Sequence, residues 1–148
     1  MSFSKFQLNF NCLANIIMIQ IKNSVLELVE NAKSKINNLS VENAIQMHSD
    51  KNNLFIDLRD IRELSNSGRI LNAKHVPRGM LEFWIDPNSP YHKKFFNENY
   101  HFIFYCASGW RSALATETAN DMGLLNASHI LGGFSRWLEL NGPIEPPK

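Results

Sequence analysis

Apolar residues fall along the chain in two rhythms, and each rhythm names an element. Val25, Leu28, Val29, Ala32 and Ile36 recur at three- and four-residue spacing, which puts them on one stripe of a helix. Asn23 or Ser24 stands where the first free amides of that helix need an acceptor. Ser40 opens Ser40-Val41-Glu42-Asn43-Ala44-Ile45 in the same way and predicts a short second helix. Leu54-Phe55-Ile56-Asp57-Leu58 and His101-Phe102-Ile103-Phe104-Tyr105-Cys106 are instead nearly unbroken apolar runs. Such runs mark strands buried on both faces. Asp57 is the odd member of the first. Ala127-Ser128-His129-Ile130-Leu131 is a weaker third run.

Between the last two runs, residues 112–122 carry Ala113, Leu114, Ala115, Thr118, Ala119 and Met122 at helical spacing, and Gly123 can end that helix. Strand, helix and strand in this order imply a right-handed parallel crossover. Ser135-Arg136-Trp137-Leu138-Glu139-Leu140 predicts a closing helix, stopped by Asn141-Gly142-Pro143. Met80-Leu81-Glu82-Phe83-Trp84-Ile85 fits either a pocket wall or an ordinary core helix. Residues 86–99, with Pro87 and Pro90, fit an extended surface loop holding a short helix. The fold class is α/β, built on a parallel sheet.

Length and composition narrow the picture. One domain fits 148 residues. With 44% hydrophobic and 20% charged residues the chain has the make-up of a soluble globular protein. Net charge is +1, with no long run of Lys or Arg, so neither nucleic acid nor an anionic membrane is an expected partner. Small anions and other proteins are. Cys12 and Cys106 lie in unlike settings and do not form a disulfide framework, which fits a cytoplasmic location. The apolar patch Leu13-Ala14-Asn15-Ile16-Ile17-Met18-Ile19 is too short to span a bilayer, lacks a cleavage site, and has only Lys5 on its flank. Residues 1–22 are therefore expected to be a frayed or helical leader with Met18 as a fitting start, and residues 23–148 the domain.

The candidate chemistry sits in Phe104-Tyr105-Cys106-Ala107-Ser108-Gly109-Trp110-Arg111-Ser112-Ala113, where a cysteine falls between the end of a buried strand and the start of a helix. Ligands of open α/β sheets collect at the carboxyl ends of strands, where helix N-termini offer free amides and partial positive charge. Near Arg111, a thiol in that field should have its anion favoured, and the thiolate is the nucleophile. Gly109 permits dihedrals that turn successive amides inward as an anion nest, and Ser108 offers a hydroxyl. Taken alone, the position equally suits a small buried hydrophobe.

Cys106-Ala107-Ser108-Gly109-Trp110-Arg111 resembles the active-site loop of single-domain bacterial rhodaneses, the thiosulfate sulfurtransferase family. Three further segments agree in order. Phe55-Ile56-Asp57-Leu58-Arg59 with Glu63 is similar to the family's first strand and turn. Residues 68–79, Gly68 to Gly79, resemble its second signature, with Leu71-Asn72 where Pro-Gly is usual. His129-Ile130-Leu131-Gly132-Gly133-Phe134-Ser135-Arg136-Trp137 resembles its ending. The resemblance covers about residues 40–143 and implies a rhodanese-like three-layer fold, a small parallel sheet flanked by helices. It also implies double displacement through a Cys106 persulfide, with ping-pong kinetics. The donor would be thiosulfate or a related small anion; the acceptor would be cyanide, a small thiol or a protein thiol. By position Cys106 is the nucleophile, Ala107, Ser108, Gly109, Trp110 and Arg111 form the cradle, and Trp110 shields the persulfide.

Other residues carry weaker expectations. Asp57 and Arg59 can position the loop by ion pairing, although a strand-end Asp is more often structural. His75, before Val76-Pro77, is more readily structural than a base. Arg78 can guide an anion. No histidine pairs with Cys or acid at metal-ligand spacing, so neither a metal nor a cofactor is expected. The rival enzyme classes are Cys-dependent phosphatases and arsenate reductases, but four residues separate Cys106 from Arg111 where the phosphatase pattern needs five. A non-catalytic rhodanese-like binding module is the rival outside enzymology.

Overall fold

The computed structural model describes residues 18–148, so the expectations for Cys12 and for most of the 1–22 leader lie outside the described residues. Helix α1 (Val25–Lys35) starts at Ser24. The Ser24 hydroxyl accepts the Glu27 amide while the Glu27 carboxylate accepts the Ser24 amide, so two orphan donors are satisfied reciprocally. Of the predicted stripe only Val29 and Ala32 are buried, and Val25 and Leu28 face outward. The cause is packing. Helix α1 lies against another helix, meeting Ala113, rather than against the sheet, so a narrow seam suffices.

Strand β1 (Asn37–Leu39) and helix α2 (Val41–Met47, capped by the Ser40 hydroxyl) come next. Strand β2 (Asn53–Asp57) leads to helix α3 (Ile61–Ser67), which the apolar pattern did not announce. Asp60 and Glu63 close its first turn as a second capping box. Two-residue strands β3 (Arg69–Ile70) and β4 (Lys74–His75), a 3-10 turn (Arg78–Met80) and helix α4 (Leu81–Ile85) follow. The predicted surface loop holds one further 3-10 turn, Lys94–Asn97, anchored by buried Phe96. Strand β5 (His101–Tyr105), helix α5 (Trp110–Asp121), strand β6 (Ala127–Ile130), helix α6 (Gly133–Glu139) and strand β7 (Ile144–Glu145) complete the chain.

Five strands form one sheet in the order β1-β6-β5-β2-β4, with every neighbouring pair parallel. Strands β3 and β7 pair separately and antiparallel. Side chains alternate across β5 as the two-residue pleat requires. Phe102 and Phe104 meet Ile56, Leu81, Ile85, Ala115 and Ala119 on one face. Ile103 and Tyr105 meet Phe55, Val41, Phe134 and Trp137 on the other. Helices α4 and α5 therefore cover one face, and α2 and α6 the other. Each phenylalanine so enclosed contributes roughly 1.5–3 kcal/mol. Leu81 and Ile85 make the 80–85 segment a core helix rather than a pocket wall. Trp137 is fully buried, its indole N–H donates to the Pro143 carbonyl at 3.1 Å, and Gly142 leaves its ring room. Among the described residues no helix is long and apolar enough to cross a membrane.

Candidate active site

Strand β5 ends at Tyr105 and delivers Cys106 to the carboxyl edge of the sheet, beside the start of α6. The Cys106 carbonyl accepts the Phe134 amide at 2.8 Å, and the Ala107 carbonyl accepts the Ser135 amide at 3.0 Å. The first turn of α6 thus holds the loop from below. Gly133 makes that approach possible: a Cβ there would stand 2.5 Å from the Cys106 carbonyl oxygen and 2.7 Å from that of Ala107. Gly132 and Gly133 both have positive φ, and α6 begins at Gly133, two residues ahead of the predicted Ser135, because the Gly132 carbonyl already accepts the Arg136 amide at 3.3 Å.

With its carbonyls turned down, the loop turns an amide toward the sulfur. Gly109 N–H donates to Cys106 Sγ at 3.1 Å. A Cβ on Gly109 would find only ordinary contacts, at 3.4 Å and beyond, so its φ of 108° rather than space demands glycine here. That residue also caps α5, which starts at Trp110 instead of Ser112. Cys106 is 1% exposed, deeper than the expected open nest. One amide, not a ring of them, reaches the bare thiol. The hydroxyl against the sulfur belongs to Ser112, at 3.6 Å, and not to Ser108. Ser108 is exposed and lines a groove with Val41, Leu131, Ser135 and Arg136.

Arg111 lies on the first turn of α5, but its guanidinium is committed to Glu63 of α3, with Nη1 and Nη2 donating at 2.8 and 2.9 Å. The pair lowers the Glu63 carboxyl and raises the Arg111 guanidinium. Glu63 is at once the capping-box acid of α3 and the anchor of Arg111, so the start of one helix steadies the start of another. Trp110 is 46% exposed and Ala107 half-buried.

Asp57 and Arg59 are both buried and joined by three side-chain hydrogen bonds, the shortest 2.7 Å. Arg59 also donates to Ser67 Oγ and to the Gly68 carbonyl, and its guanidinium lies 4.2 Å from the Phe134 ring centre. Phe134 in turn holds the Cys106 carbonyl, so this ion pair touches the loop through one intermediary. His75 Nε2 bonds the Arg59 carbonyl at 2.7 Å and must be protonated there. Arg78 bonds Glu82 and Thr118, the latter on the seventh residue after Arg111 along α5, two turns from the loop. The structure therefore gathers Cys106, Gly109 and Arg111, supports them through Asp57 and Arg59, and leaves Arg78 apart.

Sequence reasoning passed over Ser112 and His129. Both are fully buried, and Ser112 Oγ lies 3.0 Å from His129 Nδ1. The available signal was a histidine inside a buried strand, because an enclosed imidazole must find partners. Among the described residues, no group of three or more His, Cys, Asp or Glu is placed to hold a metal ion.

A parallel α/β domain with a cysteine in the turn from its central strand to the next helix defines the class. The chain belongs to the rhodanese-like domain family, whose profile matches residues 40–140. It is similar to thiosulfate sulfurtransferase/rhodanese-like domain-containing protein 3 of Mus musculus, with 26% identity over 93 residues, 60% of this chain and 59% of that protein. The chain thus spans 59% of the length of that curated relative. A Rhodopseudomonas palustris CGA009 protein of unknown function, described as a possible tyrosine phosphatase, shares 44% identity at a TM-score of 0.85, covering 87% of this chain and 99% of that one. A polysulfide-sulfur transferase from Wolinella succinogenes shares 29% identity at a TM-score of 0.60, covering 79% of this chain and 83% of that one.

Proposed function

We propose that this protein is a sulfurtransferase that carries a sulfane sulfur on Cys106. The supporting observation is the Gly109 amide held 3.1 Å from Sγ by a loop with four residues between Cys106 and Arg111. In the first half-reaction the Cys106 thiolate attacks the outer sulfur of thiosulfate or a related donor. The donor's S–S bond breaks, its electron pair leaves with sulfite, and Cys106 becomes an anionic persulfide. In the second, cyanide, a small thiol or a protein thiol attacks the terminal sulfur and the electron pair returns to Sγ. Splitting the transfer in two gives parallel lines in a double-reciprocal plot. The Gly109 amide, already 3.1 Å from Sγ, stabilises charge on that sulfur with no reorganisation at the moment of reaction.

The Glu63 pairing supports sulfur transfer over phosphate-ester chemistry, because a phosphatase needs the two guanidinium nitrogens of its loop arginine for phosphate oxygens. Here one N–H of each is given to Glu63, which turns the fork toward a carboxylate of α3. Steady-state assay with thiosulfate and cyanide, alongside an aryl phosphate, tests the reading. Thiocyanate formed with ping-pong kinetics agrees with it. Phosphate release without thiocyanate contradicts it.

A further inference from the structure

A polar line runs inward from Cys106 that the transfer just described does not use. Cys106 Sγ lies 3.6 Å from Ser112 Oγ, Ser112 Oγ 3.0 Å from His129 Nδ1, and His129 Nε2 2.9 Å from Asn38 Oδ1. The parallel register of β1 and β6 sets Asn38 directly beside His129.

Proton placement follows from the inner end. Asn38 Nδ2 donates to the carbonyls of Lys33, at 2.9 Å, and Ile36, at 3.2 Å, so the atom turned to the imidazole is Oδ1, which can only accept. His129 Nε2 therefore carries the ring proton. Burial, with a smaller push from the Lys33 charge, lowers the imidazole to about 4, so the ring is neutral and Nδ1 is an acceptor. The single Ser112 hydroxyl proton has three acceptors in reach, Nδ1 at 3.0 Å, the Gly109 carbonyl at 3.2 Å and Cys106 Sγ at 3.6 Å, the last a weak acceptor while it is a thiol. That carbonyl already accepts the Ala113 amide. Nδ1 has no other partner among the described residues, so the hydroxyl donates to it. The hydroxyl lone pairs then face outward and accept the Cys106 S–H.

This arrangement suits a neutral thiol and opposes an anion, because lone pairs would confront a charged sulfur. Rotation about the Ser112 Cβ–Oγ bond resolves the conflict without moving a heavy atom. We propose that Ser112 is a hydroxyl switch, accepting from Cys106 as thiol and donating to its sulfur as thiolate or persulfide. His129 and Asn38 are positioning residues that hold the switch in the thiol setting. The proposal rests on Cys106 being the sulfur carrier and adds Ser112 to the groups that touch the reacting atom. The charged groups facing the line are Arg111 on α5, itself paired with Glu63 on α3, and Lys33 on α1. Substitutions at positions 112 and 129 leave all three in place.

The test is the pH dependence of Cys106 alkylation by iodoacetamide, read on the Cys106 peptide by mass spectrometry. It needs no sulfur donor, so its failure is separate from a failure of sulfur transfer. Ser112→Ala removes the donor to the anion and should raise the alkylation midpoint by about one pH unit. His129→Gln keeps a donor for Asn38 but offers nothing at the Nδ1 position. It frees the hydroxyl for the anion and should lower the midpoint by about half a unit. His129→Asn restores an acceptor near that position and should return the midpoint to the wild-type value. An unchanged midpoint in Ser112→Ala, a His129→Gln midpoint not below wild type, or His129→Asn matching His129→Gln would each overturn the switch. A Ser112→Ala chain that does not fold leaves the two His129 variants to decide.

Discussion

Gly133 lies so close beneath Cys106 that a single methyl group there would reach within 2.5 Å of the Cys106 carbonyl oxygen. Two backbones meet there with no side chain between them. The contact lets the α6 amides hold the loop carbonyls, which in turn leaves the Gly109 amide to face the sulfur. Gly133→Ala should therefore cost about 2–4 kcal/mol, combining overpacking with a strained φ. Gly123→Ala is the control, since its φ is also positive but nothing lies within 4 Å. It should cost only about 1–2 kcal/mol. Urea denaturation of both variants measures the difference.

The Asp57–Arg59 pair should act as a unit. Either Asp57→Asn or Arg59→Leu strands a buried partner and should destabilise by about 3–5 kcal/mol. A double variant with apolar residues at both positions should lose less than the sum of the two, because no buried charge remains unpaired. A double-mutant cycle in urea gives the coupling directly.

Glu63 should show its link to Arg111 in acid. Its folded carboxyl is lowered by the guanidinium, so the pair's contribution is complete above the ordinary glutamate value of 4.5 and is lost as pH falls through the depressed folded value. Both side chains are partly exposed, and solvent screening keeps the contribution below about 1 kcal/mol. Glu63→Gln should lose this part of the acid dependence. Stability of the two forms compared at about pH 3 and about pH 6 checks it.

His129 acts with the same sign but at higher pH. Its folded value, about 4, lies below the ordinary 6.5, so the unfolded chain takes up the proton first. Its contribution to stability is complete above 6.5, declines as pH falls to about 4, and changes no further below that. The full loss is on the order of 3 kcal/mol. His129→Asn should flatten the stability profile across that interval relative to wild type.

The buried strands β2, β5 and β6 were legible because their apolar runs are enclosed on both faces, and helices α5 and α6 after β5 and β6 because their apolar residues keep helical spacing. Ser24 and Ser40 announced their helices equally well. Strand β1 was hidden by its composition: Asn37 and Asn38 are exposed residues on an edge strand, paired only with β6. Helix α3 buries Leu64 alone, too little for a periodic signal, although Asp60 and Glu63 carry its capping box. At the site, the strand–Cys–Gly–Arg order was readable and named Cys106, Gly109 and Arg111. The partners of those residues were not, because they come from distant elements. Glu63 reaches Arg111 across 48 positions and His129 reaches Ser112 across 17, pairings that only the parallel sheet creates.

Intact-mass measurement after incubation with thiosulfate, comparing wild type with Cys106→Ser, tests the sulfur-carrier assignment most directly. The wild type should gain one sulfur atom, reversed by cyanide and missing from the variant. An unchanged wild-type mass, or the same gain in Cys106→Ser, would contradict that assignment.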